Sequence, residues 1–415
     1  MDLALTIFVL TLLGGLFMAF NNGANDVSNA FATAVGSRAL SPHGALWIGG
    51  AMTAIGAMLL GGNVALRLIQ GIVHPDLFND PIRYALAMFV VLLSSGSFVF
   101  LSTLTRMPVS STHSLVGSLT GVSIAIAGWQ AIDWPQLGRV ALSWVVSPIL
   151  AALATWVLVK IIKIWVLGRN QRGQGKRFSQ RLPIVMAIIT AAITSTILGY
   201  TQLEPFRDLH CATLMAIGLT CGVFTYALSK TIIRRALKSK KKRRKGVTNA
   251  IRHFQIASAS AVAFGNGAND VSNSISPILA VYLMLTQGHL PPLGNQLPLW
   301  ILGLGAGGIV LGILTMGQRV IQTLGEGITA LTPVRALSAD LSVASVVIGA
   351  SALGLPISTT HAATGAIVGA GLSSGLGGIR FGILGKIFVA WIITVPAAAL
   401  ITVGLYALLE RALLH

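Results

Sequence analysis

One eight-residue block stands twice in this chain and constrains its fold more than any other feature. AFNNGANDVSNA at Ala19–Ala30 returns as AFGNGANDVSNS at Ala263–Ser274, identical over Asn22–Asn29 and Asn266–Asn273. Further landmarks follow in the same order in both halves. LRLIQ at Leu66–Gln70 answers QRVIQ at Gln318–Gln322, and MPVSSTHSLVG at Met107–Gly117 answers LPISTTHAATG at Leu355–Gly365. Trp144 with Pro148 answers Trp391 with Pro396. Offsets between matched positions stay within 244 to 252 residues, so the chain holds two copies of one unit.

Both copies lie in strongly apolar sequence. The chain is 54% hydrophobic and 10% charged, where a soluble domain carries about 25% charged residues. At least nine stretches reach the roughly 20 residues a helix needs to cross a bilayer. Leu3–Phe20, Tyr84–Leu104, Val140–Val159 and Ile387–Leu408 are examples. Barrel strands would alternate apolar and polar residues, and these runs do not, so a helical bundle is required. The expected fold is an all-α polytopic membrane protein with about 10–12 membrane segments. The first apolar stretch reads as a retained helix rather than a cleaved leader, because Asp2 stands where a basic segment would be needed.

A net charge of +18 raises the question of nucleic acid, and its placement answers it. Of 29 Lys and Arg, seven lie within Lys160–Arg181 and eleven within Lys230–Arg252, flanking the apolar pair Ile184–Tyr200 and Cys211–Leu228. By the positive-inside rule both basic blocks face the cytoplasm. The run SKKKRRKG at Ser239–Gly246 reads as a solvated loop, with anionic lipid as the lesser option and no nucleic-acid partner. The organisation follows: residues 1–160 form repeat 1, residues 161–252 two connecting helices with basic flanks, and residues 253–415 repeat 2. Repeat 1 ends and repeat 2 begins on the cytoplasmic side, so the repeats are inverted, each with an odd number of net crossings. Both termini then lie outside, as in a multi-pass protein of the cell inner membrane. Inverted repeats place substrate at their interface, near the bilayer midplane. Cys211 and Cys221, about 15 Å apart on one helix, are too distant for a disulfide.

A carboxylate at the membrane centre costs about 2.5–3.5 kcal/mol even on insertion scales, so Asp26 and Asp270 need partners. Gly23 and Gly267 amid Asn and Asp weaken a helix, and the expectation is a broken helix in each repeat. Asn22, Asp26 and Asn29, with Asn266, Asp270 and Asn273, offer hard oxygen ligands suited to Na⁺ at the two aspartates. A proton titrating the Asp pair is the alternative. The second motif reads as a helix start inside the membrane, with proline at the first turn and Ser or Thr as cap. Ser110, Ser111 and Thr112, and Ser358, Thr359 and Thr360, then present hydroxyls and free N–H groups at a positive dipole end, a ready anion site. Val109–Ala127 and Ile357–Ser374 are marginal in length and Gly-rich, which fits re-entrant hairpins. His113 and His361 read first as structural hydrogen-bond donors. Arg67 and Arg319 read as snorkelling side chains, and Glu326 and Asp340, without counterparts in repeat 1, receive no role.

These residues carry a resemblance. GANDVSN at Gly23–Asn29 and Gly267–Asn273, the blocks at Pro108–His113 and Pro356–His361, and the central basic loop together resemble the inorganic phosphate transporter (PiT) family over nearly the whole chain. The resemblance implies a bacterial permease, not an enzyme, that moves phosphate by symport with Na⁺ or H⁺. It also implies a homodimer with transport and scaffold parts in each protomer, and no cofactor beyond the coupling ion. By position, Asn25, Asp26, Asn269 and Asp270 would serve cation and substrate, and the Ser/Thr triplets would hold phosphate. Asn21 faces Gly265, so the half-sites differ. Sulfate is a second candidate substrate, since some relatives carry it. An integral-membrane lipid-pyrophosphate phosphatase would bury an Arg against its phosphates, and Arg106 alone lies beside a motif. A passive anion channel is opposed by the buried carboxylates.

Overall fold

The protein is described here by a computed structural model covering residues 3–72, 78, 80–105, 107, 109–168, 174–201, 206, 209–237, 243–288, 297–324, 329 and 331–414. Among these residues there are thirteen α-helices and no strand. Repeat 1 supplies α1 (Leu3–Gly36), α2 (Pro42–Ile72), α3 (Pro81–Leu104), α4 (Ser111–Ala127) and α5 (Trp134–Lys160). Then come α6 (Gln174–Tyr200) and α7 (Cys211–Ala236). Repeat 2 supplies α8 (Arg243–Asp270), α9 (Ser272–Gln287), α10 (Leu299–Leu324), α11 (Pro333–Ala352), α12 (Thr359–Leu372) and α13 (Phe381–Leu414). Nine helices among the described residues are long and apolar enough to cross a membrane. With α8 and α9 together answering α1, the bundle has twelve segments. Local signals fix several starts: Asp80 accepts from the Ile82 N–H at 2.8 Å and Asp133 from the Gln136 N–H at 2.9 Å, each just before a proline in the first turn. Cys211 and Cys221 are free.

Polarity runs opposite to that of a water-soluble protein. Ile392 and Leu400 are 71% and 74% exposed on the outer face of α13, whereas Asp26 and Asp270 are 4% and 3% exposed inside. Lipid solvates the first pair; the second must be solvated by the protein itself.

Close helix contacts reveal the direction of each segment. A Cβ at Gly308 would meet Ala19, one at Gly312 would meet the Phe20 carbonyl, and one at Gly317 would meet Val27. Numbers rise together, so α1 and α10 run parallel. In the same way Gly56 abuts Phe264 and Gly61 abuts Val271, which makes α2 parallel to α8. Only residues 37–41 join α1 to α2, and so short a link makes neighbours antiparallel. The counterparts α2 and α10 therefore point in opposite directions, as do α1 and α8. That is the geometry of inverted repeats. The connecting pair α6 and α7 forms a separate antiparallel hairpin, with Gly218 against Ala191 and Ser195 and Gly222 against Ala187.

The expected break in the Asn-Gly-Ala-Asn-Asp helices needs correction. Helix α1 runs unbroken through Asn22–Asn29. In repeat 2 only Val271 interrupts the helix, and its backbone stays right-handed helical at φ −59°, ψ −33°. Glycine and Asx residues weaken a helix when their side chains compete for its own backbone. Here those side chains are engaged across helices instead. Gly23 and Gly267 serve close approach: a Cβ at either would strike the carbonyl of Ile309 or Thr53 on the crossing helix.

The shorter helices form the hairpins expected from their length. Ser94 and Ser118 hydroxyls lie 3.5 Å apart and the Ser114 hydroxyl donates to the Ser95 carbonyl at 3.3 Å, so α3 and α4 are antiparallel. The hairpin tips meet. Thr112 donates to the Ile357 carbonyl and Thr360 to the Val109 carbonyl, both at 3.2 Å. With inverted repeats, tips that touch each other must enter from opposite faces.

Candidate functional site

Two helix N-termini open this site. Ser110 caps α4 by accepting from the His113 N–H at 3.2 Å, and Ser358 caps α12 by accepting from the His361 N–H at 3.2 Å. All six residues of the two Ser/Thr triplets are buried. Pro108 lies outside the described residues, as do Glu326 and part of the basic loop at residues 239–242. The first-turn N–H groups of a helix have no intrahelical partner, and their dipoles favour negative charge.

The aspartates sit directly beside these starts. Asp26 accepts from the Ser111 hydroxyl at 3.2 Å and the Asn29 amide at 3.3 Å. Asp270 accepts from the Thr359 hydroxyl at 3.3 and 3.2 Å. Bonds across the repeats follow the pseudo-twofold. The Asn22 amide donates to the Asp270 carbonyl at 3.1 Å, and the Asn266 amide to the Asp26 carbonyl at 3.3 Å. Asn29 reaches Thr360 at 3.1 Å, while Asn273 reaches Ser111 and Thr112 at 3.1 and 3.3 Å. Asn25 and Asn269 hold the hairpin tips: Asn25 donates to Thr103 and the Met107 carbonyl, and Asn269 to Ser351 and the Leu355 carbonyl.

A cavity of about 10 Å³ is bordered by both aspartates, by Asn22, Thr53 and Asn266, and by apolar Val27, Ile309 and Ile313. It is the size of one water molecule or one small ion. Among the described residues the amide oxygens of Asn22, Asn266, Asn269 and Asn273 are buried without a donor. Buried acceptors without donors are costly, and a hard cation satisfies carbonyl and carboxylate oxygens together. A larger cavity, about 520 Å³, lies behind the tips between α5 and α13. Its walls are almost wholly apolar, with Val145, Ile149, Phe388 and Ile392 among them. His113, His361, Thr364, Trp144 and Trp391 are the polar-bearing residues of that cavity, whereas the smaller one alone is bordered by the two aspartates.

The pattern of the "Phosphate transporter family" (PHO4) matches residues 22–402. The chain belongs to this family. The "Putative phosphate permease TK2061" of Thermococcus kodakarensis is 34% identical over 97% of each chain. "Inorganic phosphate transporter 2-1, chloroplastic" of Arabidopsis thaliana is 33% identical over 95% of this chain and 70% of that protein. A solved structure described as "The sodium-dependent phosphate transporter" superposes with a TM-score of 0.90 at 32% identity, covering 98% of this chain and 99% of that one. Membership in a family of transporters sets the phosphatase alternative aside.

All fourteen candidate residues of this phosphate transporter family member converge on the junction of the tips, though not all alike. Ser111, Thr112, Thr359 and Thr360 already donate their hydroxyl protons to protein acceptors. An anion must exchange with those bonds rather than meet idle donors. Thr103 and Ser351, at equivalent places in the repeats, belong to no motif, and their part in holding Asn25 and Asn269 comes from the fold. The Trp144 and Trp391 match was visible, yet its meaning needed the fold: each carbonyl accepts from a histidine of the opposite repeat. Asp340 links three helices, accepting from Thr33 at 2.8 Å and Ser258 at 3.2 Å. Arg67 and Arg319 are exposed, and the Arg67 side chain packs against Gly354, just before the repeat 2 tip.

Proposed function

We propose that this chain is a secondary active transporter that moves inorganic phosphate in symport with Na⁺. Phosphate sits at the starts of α4 and α12, held by Ser110, Ser111, Thr112, Ser358, Thr359 and Thr360, with Asn25 and Asn269 fixing the tips. Na⁺ sits between Asp26 and Asp270, with Asn22, Asn29, Asn266 and Asn273 completing its surroundings. The observation that carries this reading is the direct hydrogen bond from each triplet to one aspartate, Ser111 to Asp26 and Thr359 to Asp270. Two buried carboxylates so close to an oxyanion site repel the anion. A cation in the small cavity removes that repulsion, which makes binding of the two ions interdependent. The bonds joining the halves, Asn22 to Asp270, Asn266 to Asp26, and Thr112 and Thr360 to the opposite tip, are the contacts that must exchange when one repeat rocks against the other.

In this reading residues 1–160 and 253–415 are the moving halves, and the protein works as a homodimer in the inner membrane. Its termini face outward and its basic loops face the cytoplasm, near anionic lipid. Uptake of labelled phosphate into proteoliposomes tests it, with Na⁺ or H⁺ gradients imposed singly and sulfate as competitor. Accumulation driven by Na⁺ and unaffected by excess sulfate is expected. Accumulation driven by H⁺ alone would make the proton the coupling ion, and full competition by sulfate would make the site a general oxyanion site.

A further inference from the structure

Behind the paired hydroxyl triplets, on the side away from the carboxylates, four aromatic side chains form a crossed cluster on the pseudo-twofold axis. His113 and His361 have ring centres 4.4 Å apart. His113 lies 3.8 Å from the Trp144 ring, and His361 stacks at 3.5 Å on Trp391. Each imidazole then bonds the other tryptophan: His113 Nδ1 lies 3.4 Å from the Trp391 carbonyl, and His361 Nδ1 lies 3.0 Å from the Trp144 carbonyl. A carbonyl only accepts, so Nδ1–H is the donor in both. Each bond joins a hairpin helix of one repeat to the long helix α5 or α13 of the other.

The two halves are not equal here, and the sequence states why. Proline lacks an N–H and its ring crowds the carbonyl four residues earlier. Pro148 lies within α5, four residues after Trp144, so the carbonyl His361 takes up is the one the proline has deprived of its helical donor. Pro396 lies within α13, five residues after Trp391. The carbonyl it frees is that of Ile392, and Trp391 keeps Val395 as its helical donor. The shorter contact, 3.0 against 3.4 Å, belongs to the proline-freed carbonyl.

We infer that His361 is a positioning residue for the anion site, fixing the start of α12 by capping the Trp144 carbonyl that Pro148 leaves without a donor, and that His113 carries a smaller share of the same task. The residue just before His361 is Thr360, and Ser358 caps the His361 N–H. Any drift of the imidazole therefore moves the triplet. This inference rests on the assignment of the triplets to the anion, and a raised KM for phosphate in Ser111→Ala and Thr359→Val is the control for that assignment.

The experiment measures KM and Vmax for phosphate in proteoliposomes. His361→Ala should raise KM about tenfold, since an otherwise unsatisfied carbonyl loses its donor, with a smaller change in Vmax. His361→Asn, whose amide supplies an N–H near the same place, should recover most of the affinity. In a Pro148→Ala background the backbone N–H restored at position 148 returns to the Trp144 carbonyl, and the KM penalty of His361→Ala should shrink to about twofold. Pro396→Ala should leave the penalty of His113→Ala unchanged, because that proline does not face Trp391. Equal His361→Ala penalties with and without Pro148 would overturn the inference. So would a loss confined to Vmax at constant KM, the mark of less folded protein. Should Pro148→Ala not fold, equal KM for His361→Ala and His361→Asn in the native helix overturns it instead. Unchanged KM in both Ser111→Ala and Thr359→Val overturns the underlying assignment, not the positioning argument alone.

Discussion

Replacing Asp26 by Asn preserves shape, deletes one charge and reads directly on the proposed coupling site. Asp26 and Asp270 both line one cavity of about 10 Å³, and the proposed cation lies between them. At about 4 Å and an effective dielectric near 20, one unit charge contributes roughly 4 kcal/mol to cation binding. With 1.4 kcal/mol to a factor of ten, cation affinity should fall by about 100- to 1000-fold. The side-chain network suffers less. The bond from Asn29 at 3.3 Å becomes neutral and the one from Ser111 at 3.2 Å must reverse, the hydroxyl accepting from the new amide, a loss of about 1–2 kcal/mol. Thermal unfolding of purified protein separates the two effects. Sodium at 100 times the wild-type Kd should stabilise wild type by about 2.7 kcal/mol and Asp26→Asn by about 0.4 kcal/mol or less, relative to choline. Sodium-driven accumulation should vanish in the same variant while it remains folded. Wild-type sodium stabilisation and concentrative uptake in both Asp26→Asn and Asp270→Asn would refute the reasoning. A wild type indifferent to sodium would refute sodium as the ion.

Gly23→Ala and Gly267→Ala each drive a methyl into the Ile309 or Thr53 carbonyl region, and overpacking of this kind costs about 1–3 kcal/mol; a lowered unfolding temperature with matching losses in the two variants is expected. Thr33→Val removes the closer donor to buried Asp340 and should destabilise by about 1–3 kcal/mol, with Thr33→Ser restoring stability; unfolding midpoints in detergent report both. Cysteines introduced at Leu413 and Arg235, in a protein lacking Cys211 and Cys221, should react with an impermeant thiol reagent on intact cells only at Leu413. Reaction at Arg235 from outside would sink the inverted orientation.

Much of this molecule is written in its sequence, because bilayer thickness and backbone hydrogen bonding leave few choices. Apolar runs of membrane length dictated helices, the duplicated blocks dictated two units, and the basic flanks dictated their relative orientation. The serine caps of α4 and α12 were legible for the same local reason: a Ser before a helix start satisfies an N–H that nothing else can reach. Glycine and Asx residues misled, because propensity describes an isolated helix. Asn25 has Thr103 and the Met107 carbonyl to bind, and Asn22 has the Asp270 carbonyl, partners 78 to 248 residues away that only the assembled bundle supplies. The inequality of the His–Trp pairs was present as a one-residue difference in spacing before each proline, silent until the fold placed an imidazole on each carbonyl. Local chemistry decided which groups needed partners; tertiary structure decided which partners they received, since buried polar groups in lipid are satisfied by whatever the crossing helices bring within reach.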